Sequence, residues 1–118
     1  SLHVAGVRKE DIKVVKTHGT GTCVNNKAEK TALVRSLDTF VATSYKQRIG
    51  HTMGASGLLE TGLLLNDIKR GIVPQILNRT EHDDVFLSYD APAPSGPFLS
   101  LAAGMGNIYS AAIFCTEV

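Results

Sequence analysis

The sequence predicts an α/β fold, built as a mixed sheet of five strands with helices packed on it. Short segments rich in β-branched residues alternate with two longer segments of helical spacing, and glycine-broken loops follow the strands. The last two apolar segments are separated by a glycine-rich turn. The resulting order of strand, helix, strand, helix and three further strands favours a sheet whose final pair is antiparallel.

The first strand–helix unit comes from the N-terminal part of the chain. Residues 12–16 are short and rich in β-branched side chains, which predicts a strand, and the glycines that follow break regular structure. Asn26 is the expected N-cap of a helix over residues 27–38, because Glu29 follows three residues later, as in a capping box. Apolar residues recur at helical spacing along this segment, which indicates an amphipathic helix.

The second unit repeats this order. Residues 40–44 have the composition of a strand, and a glycine-broken loop over residues 47–54 follows. A helix from about residue 55 to residue 69 is apolar over most of its circumference, so we expect it to be largely buried. Gly71 and Pro74 end this helix.

The last third of the chain indicates strands over residues 85–89, 98–102 and 110–115. A proline-rich linker separates the first two strands. The sequence GMGN over residues 104–107 predicts a hairpin turn between the last two. Cys115 ends the final apolar strand, where we expect a core position.

The chain has 118 residues, of which 43% are hydrophobic and 19% are charged. This length suits one domain over residues 1–118, and the apolar fraction excludes a disordered tail. Two cysteines are too few for a disulfide-built miniprotein, and no apolar run approaches the roughly 18 residues that span a membrane. With no signal-peptide pattern, we expect a cytoplasmic domain. Because the chain opens on Ser1 rather than Met, we expect it to be part of a longer protein.

The formal net charge of +1 is unevenly distributed. All twelve basic residues lie at or before Arg79, whereas the charged residues after it are all acidic. A basic face can steer an acidic partner, although a solvated surface whose two ends differ is the simpler explanation. No run of Arg or Lys is interleaved with aromatic residues, so nucleic acid is not an expected partner.

Two of the four histidines lie in glycine-broken loops. His18 follows the first strand and His51 precedes the long apolar helix, and loops at strand ends are where α/β folds gather reactive groups. Lys46 lies five residues before His51 and Glu60 nine residues after it. A partly buried Lys–Glu pair beside an imidazole could fix its tautomer and shift its pKa. The alternative is that each histidine is an ordinary core or surface residue.

Other chemistries fit the pattern less well. The GTGT run after His18 is neither a dinucleotide fingerprint nor a phosphate-binding loop. His18, Cys23 and His51 have no standard zinc-ligand spacing and lack a fourth ligand, so no metal site is expected. Neither Cys23 nor Cys115 lies at a strand-to-helix elbow that would expose and activate a thiolate.

Four segments carry a resemblance to a known family. Residues 17–22 read THGTGT and are followed by NNKAE, which resembles the HGTGT…(N/G)D…E signature of β-ketoacyl synthases. Residues 46–60 read KQRIGHTMGASGLLE and resemble the family's K-x4-GH-x2-GA(S/A)G-x2-E segment. Residues 73–78 resemble its P-x-(I/L)-N turn, and residues 104–107 fall where the family has its GFGG(T/S)N loop. The resemblance therefore covers nearly the whole chain.

The resemblance implies a thiolase-like fold, in which two similar α/β halves make one subunit. This chain is similar to the C-terminal half, whereas the nucleophilic Cys of the family belongs to the N-terminal half. The implied activity is decarboxylative condensation of malonyl-acyl-carrier-protein with an acyl thioester, in fatty acid or polyketide biosynthesis. His18 and His51 would be the two active-site histidines, whose N–H groups can stabilise an enolate oxygen. Without the nucleophile, we expect the isolated chain to be inactive.

The resemblance also implies supporting roles. Lys46 and Glu60 would form the charge pair that supports the histidines. The positions matching the family's substrate-binding residues are Thr20, Thr22, Gly104, Met105 and Gly106. The two threonines match positions that hydrogen-bond the phosphopantetheine arm, which arrives on the carrier protein, so the chain itself is expected to hold no cofactor. The methionine stands where the family has a gating phenylalanine.

The chain departs from the family pattern in two places. Asn26 replaces the usual Asp, and Ile108 and Tyr109 replace Thr and Asn after the glycine loop, where their bulk changes the gate. The altered loop over residues 104–109 and the missing nucleophile elbow leave a second hypothesis open, namely a non-catalytic half like the chain-length factors that pair with active synthases. The implied partners are acyl carrier protein, malonyl and acyl thioesters, and a second ketosynthase subunit in a homodimer or heterodimer.

Overall fold

A computed structural model describes residues 2–77, 85–87, 89–105 and 108–115, apart from the side chain of Cys23. The helices are α1 Leu2–Ala5, α2 Cys23–Ser36, α3 Lys46–Ile49 and α4 Ser56–Lys69. The strands are β1 Val14–Lys16, β2 Val41–Thr43, β3 Ile72–Val73, β4 Ala91–Pro92, β5 Phe98–Gly104 and β6 Ile108–Phe114. Single 3-10 turns cover Lys9–Asp11 and Met53–Ala55.

The main sheet has the strand order β2-β1-β5-β6, in which β1 is parallel to both neighbours and β5 is antiparallel to β6. A parallel bridge between Ala42 and Phe86 adds residues 85–87 beside β2. The mixed sheet and its antiparallel final pair therefore confirm the predicted fold class. The strand expected over residues 85–89 contributes this one bridge in the described residues, and Ser88 lies outside them. Residues 106–107 of the predicted hairpin turn also lie outside them.

The sheet separates two apolar clusters. Val15 and Leu99 pack with Leu33 of α2 in one cluster, whereas Val14 packs with Leu64 of α4 in the other. Because successive strand residues point to opposite faces, the neighbouring valines of β1 place α2 and α4 on opposite sides of the sheet. The result is a helix–sheet–helix sandwich with β1 at its centre.

The first long helix begins four residues earlier than the sequence predicts. Thr22 is its N-cap, and the Thr22 hydroxyl accepts a hydrogen bond from the Asn25 backbone N–H at 3.4 Å. Asn26, the expected cap, therefore lies inside α2, and Glu29 forms no capping box because its carboxylate is bound to the loop after β1. The prediction failed because Thr22 and Asn26 both have capping side chains and spacing alone does not choose between them.

The expectation that the second long helix is largely buried is wrong. α4 buries one face, formed by Ser56, Glu60, Thr61 and Leu64. Leu58, on the other side, is 82% exposed, because the sheet covers only one face of the helix. None of the helices in the described part of the chain is long and apolar enough to cross a membrane.

The last third of the chain differs from its prediction in two ways. The proline-rich linker contains β4, which pairs with β3 in a second antiparallel sheet through Ile72 and Pro92. A two-stranded ribbon accepts this proline because its outer edge needs no N–H donor. Cys115 is exposed rather than buried in the core, because β6 is the edge strand of the sheet and most of its side chains are uncovered.

Candidate active site

The loop after β1 turns sharply at Gly19. The Gly19 φ angle is +56°, and a Cβ atom at this position would lie 2.2 Å from the Ser44 hydroxyl oxygen. The Glu29 carboxylate accepts hydrogen bonds from the backbone N–H groups of His18 at 2.6 Å and of Gly19 at 3.0 Å. The loop is therefore fixed on one side by α2 and packed without space for a side chain on the other.

The half-buried His18 ring binds the backbone of β5. Its Nδ1 accepts a hydrogen bond from the Ala103 backbone N–H at 3.1 Å, at a point where β5 continues beyond the end of β1. In the neutral ring the proton consequently lies on Nε2. Burial and the charge of Lys46 lower the pKa of His18 below its ordinary value, although Glu29 opposes them. These effects favour the neutral form of His18.

His51, in the loop between α3 and α4, lies next to the His18 ring. Gly50 ends α3 at a φ of +77°, and the Met53 backbone N–H donates to His51 Nδ1 at 3.1 Å. Met53 itself has a φ of +54°, a left-handed conformation that is costly for a side-chain-bearing residue. The His18 and His51 rings lie edge to face with centroids 5.8 Å apart. Both rings therefore keep Nε2 for other partners.

Beneath the histidines lies a buried charge cluster. The Glu60 carboxylate binds Lys46 Nζ at 2.7 Å through Oε1 and Lys16 Nζ at 3.1 Å through Oε2, and the Ser56 hydroxyl donates to Oε1. Burial alone would raise the pKa of Glu60, but hydrogen bonds from Lys46 and Ser56 and the charge of Lys16 outweigh burial and lower it. The cluster joins the two predicted residues, Lys46 and Glu60.

Lys16 was missed by the sequence reasoning. Its side chain is fully buried, and burial lowers the pKa of Lys16 although Glu60 opposes the shift. A signal was present, because Lys16 stands in a strand that the pattern places at the centre of the sheet, where an unpaired lysine is rarely tolerated. The pairing partner, 44 residues away, could not be identified without the fold.

The predicted substrate-binding residues fall in two groups. Thr20 and Thr22 lie at the start of α2, where Thr20 Oγ1 accepts a hydrogen bond from the Asn25 side-chain amide at 2.9 Å. Gly104 ends β5, and Met105 after it is 89% exposed. Gly106, the remaining predicted residue, lies outside the described residues.

A groove of about 1160 Å³ is lined by the second of these groups, Gly104 and Met105. Its polar lining includes both histidines, Asn25 and Glu29, and its walls come mainly from α2, β5 and β6. The predicted Met105 and the bulky Tyr109 also line it, whereas Thr20, Thr22, Lys46 and Glu60 do not. The groove is thus an apolar channel with two imidazoles on its surface.

The residues described contain no metal-ligating cluster. In that part of the chain, no three side chains of His, Cys, Asp or Glu are grouped so as to hold a metal ion. The zinc ligands considered from the sequence include Cys23, whose side chain lies outside the description. Cys115 does not line the groove.

Solved structures define the class of fold. A β-ketoacyl synthase from Burkholderia phymatum STM815 superimposes on 99% of this chain with a TM-score of 0.89 at 29% identity, and the match covers 30% of that structure's chain. A type II polyketide synthase complex, AntDE:AntF, matches 98% of this chain with a TM-score of 0.83 at 22% identity and shows the same fold. The chain is therefore a thiolase-like α/β domain.

Sequence comparisons define the family. Residues 1–80 match the family model described as beta-ketoacyl synthase, C-terminal domain. The ketoacyl synthase alpha subunit of the Streptomyces glaucescens tetracenomycin polyketide synthase is 31% identical over 113 residues, covering 88% of this chain and 26% of that protein. The 3-oxoacyl-[acyl-carrier-protein] synthase 2 of Mycobacterium leprae is 33% identical over 97 residues, covering 80% of this chain and 23% of that protein. The chain belongs to the β-ketoacyl synthase family and spans about a quarter of the length of these relatives.

Proposed function

We propose that His18 and His51 are the two histidines of a decarboxylative condensing site, which this domain supplies to a longer synthase acting on carrier-protein thioesters. The observation that supports this proposal most is that Nδ1 plays the same hydrogen-bonding role in both histidines. Each Nδ1 accepts a backbone N–H, so each neutral ring offers an Nε2–H donor, and the two rings are 5.8 Å apart. Two such donors can hold one oxygen atom as it becomes negatively charged.

In the proposed reaction, the carbonyl oxygen of a malonyl thioester accepts hydrogen bonds from both Nε2–H groups. The bond between the malonyl methylene carbon and its carboxylate breaks, its electron pair forms the enolate, and carbon dioxide leaves. The enolate carbon attacks an acyl thioester held on a Cys of the longer synthase. The new carbon–carbon bond forms as the carbon–sulfur bond breaks, and the departing thiolate takes a proton from solvent. Neutral imidazoles suit this role because they stabilise the enolate without being acidic enough to protonate its carbon.

We propose supporting roles for four further residues on the basis of the same geometry. Lys46 and Glu60 hold the loop of His51 through their buried ion pair. Thr20 and Thr22 carry hydroxyl groups near Asn25 at the edge of the groove, where they suit the polar phosphopantetheine arm of a carrier-bound substrate. The excess of basic residues before residue 80 suits an acidic carrier protein. In the AntDE:AntF structure, a type II polyketide synthase acyl-carrier protein is in complex with its ketosynthase.

The test uses the full-length synthase and malonyl-acyl-carrier-protein. We expect His18→Ala and His51→Ala each to lower the decarboxylation rate by about 10²- to 10³-fold, the cost of losing one oxyanion donor. Lys69→Ala, an exposed change at the far end of α4, is the matched surface control and should keep the wild-type rate. Wild-type decarboxylation by either histidine variant, with unchanged circular dichroism, would overturn the assignment.

A non-catalytic subunit is the second candidate, and one observation favours it. Tyr109 is 75% exposed beside the groove, at a position where the resemblance to the family places a smaller Asn. The discriminating measurement is mass spectrometry of the full-length protein after incubation with an acyl-carrier-protein thioester. An acyl group on a Cys supports the enzyme. Absence of acylation, together with decarboxylation that does not depend on the histidines, supports the non-catalytic subunit.

A further inference from the structure

Lys16 belongs to a row of polar side chains that crosses the sheet under α4. Lys16 pairs in register with Thr43 of β2 and with Ser100 of β5, and all three are buried. The Thr43 hydroxyl donates to the Pro74 carbonyl at 2.6 Å, and the Ser100 hydroxyl shares a 2.7 Å hydrogen bond with the Thr61 hydroxyl. The two flanking hydroxyls are therefore partnered elsewhere, and the Lys16 ammonium is directed to Glu60 at 3.1 Å.

The resulting cluster has more positive than negative charge. Lys16 and Lys46 both bind Glu60, and all three side chains are at least nine-tenths buried. Lys46 and Ser56 bind Oε1, and the charge of Lys46 alone balances the carboxylate, so Lys16 supplies the partner of Oε2 together with one positive charge in excess. An additional buried cation is costly. Its presence under the histidine site points to a role in that site.

We propose that Lys16 is a positioning residue of the condensing site. Lys16 binds Glu60 Oε2, so that Oε1 of the same carboxylate faces Lys46. The charge of Lys16 also makes the buried cluster net positive beneath His18. This inference rests on the proposed function. Lys16 does not line the groove, and it acts through Glu60 and through its charge.

The charge of Lys16 acts on His18 together with groups from every packed element. Lys46 of α3 and His51 of the next loop add to the effect of burial in lowering the pKa of His18, as Lys16 does from β1. Glu29 of α2 opposes them. From β5, His18 receives an uncharged backbone N–H. Removing the Lys16 charge therefore raises the pKa of His18. An activity that needs the neutral ring falls as the pH is lowered through this pKa, so this fall, the acid limb of the pH profile, moves to higher pH.

The first experiment measures decarboxylation by the full-length synthase against pH for four variants. Lys16→Met removes both the charge and the hydrogen bond, Lys16→Gln removes the charge but can still donate to Glu60, and Lys16→Arg keeps the charge. Lys13→Met, three residues earlier, is the matched control. We expect the acid limb to move upward by about half a pH unit or more in the Met and Gln variants. The Met variant alone should also lose several-fold in plateau rate, whereas the Arg variant should keep the wild-type limb.

The second measurement does not need activity. Diethyl pyrocarbonate modifies neutral imidazole, so the pH dependence of His18 modification, resolved by mass spectrometry, gives the His18 pKa directly. An upward shift in Lys16→Gln, absent from Lys13→Met, supports the inference even where Lys16→Met does not fold. An unshifted His18 titration in Lys16→Gln overturns it, whatever the outcome of the histidine substitutions. Wild-type decarboxylation by His18→Ala would instead overturn the proposed function and leave this titration interpretable.

Discussion

Glu29 reaches back from α2 to His18 and accepts its backbone N–H at 2.6 Å, while the second oxygen of the same carboxylate accepts the next N–H of the loop at 3.0 Å. One side chain thus determines the backbone path on both sides of the His18 Cα atom. An ionised acceptor makes both bonds stronger than neutral ones would be.

Replacing Glu29 by Ala should therefore loosen the His18 loop. Two partly buried N–H groups lose their acceptor, which should lower the free energy of unfolding by about 1–3 kcal/mol. Glu29→Gln keeps one acceptor oxygen, so its free energy of unfolding should lie between those of the wild type and Glu29→Ala. Thermal melting of the full-length protein measures the effect, with Glu10→Ala as the exposed acidic control. Equal melting temperatures for Glu29→Ala and Glu10→Ala would contradict this role.

Gly19→Ala should be one of the most damaging single-methyl additions in the described chain. The new Cβ would lie 2.2 Å from the Ser44 Oγ and 2.6 Å from the Ser44 Cβ. Gly6→Ala is the matched control, because Gly6 has a similar φ of +63° but nothing within 4 Å of the new atom. Gly6→Ala should cost about 1 kcal/mol for the left-handed backbone, whereas Gly19→Ala should cost clearly more.

A double variant separates the two costs at Gly19. Ser44→Gly removes the two atoms closest to the added methyl group and leaves Thr17 Oγ1 at 3.0 Å. Gly19→Ala/Ser44→Gly should therefore recover part of the melting temperature lost by Gly19→Ala, measured relative to Ser44→Gly alone. If the added alanine costs the same in both backgrounds, the clash is not the cause of the loss.

Glu60→Gln should be strongly destabilising. It leaves the buried ammonium groups of Lys16 and Lys46 without a counter-charge, for which the expected loss is about 3–5 kcal/mol. Because the pKa of Glu60 is held below its ordinary value in the folded state, its contribution is full above the unfolded-state pKa and is lost as the pH falls through the folded value. The difference in stability between wild type and Glu60→Gln should therefore shrink on acidification below about pH 4. Urea unfolding at pH 7 and at pH 3.5 measures it, and a difference that grows on acidification would be contrary to this account.

Met53 holds a left-handed backbone conformation beside the candidate site, with a φ of +54°. Met53→Gly should match or exceed wild-type stability, by up to about 1 kcal/mol, because glycine adopts this conformation without strain. Met53→Val should lose about 1–2 kcal/mol, because β-branched residues tolerate positive φ least. The side chain is 71% exposed, so little packing is lost in either variant. Melting temperatures in the reverse order would show that φ does not control this position.

The sequence predicted the parts of the fold that depend on local pattern. The strand before His18, the helix after His51 and the final antiparallel pair all have strong periodicity or turn signals, and each is present. The resemblance to β-ketoacyl synthases also gave the family correctly. Boundaries were less predictable where two residues compete for one role, as Thr22 and Asn26 do for the N-cap of α2.

The rest of the site depends on distant contacts. Local pattern gives no reason to pair Lys16 with Glu60, or to join His18 to the N–H of Ala103, 85 residues away. The strand β4, Ala91–Pro92, is likewise defined by its pairing with β3 and not by its own composition. Such contacts depend on the order of the strands in the sheet, which brings together residues that are far apart in the sequence. Local sequence patterns do not show that order.

The donors that fix both imidazoles belong to the main chain, at Ala103 and at Met53. A peptide N–H is present whichever amino acid occupies those positions, with proline as the sole exception. Side chains at residue 103, and those at residue 53 that tolerate its positive φ, can therefore change while the ring protons of His18 and His51 remain on the same nitrogen. The tautomers of the two histidines are therefore determined by the course of the backbone and tolerate many side-chain substitutions at the donor positions.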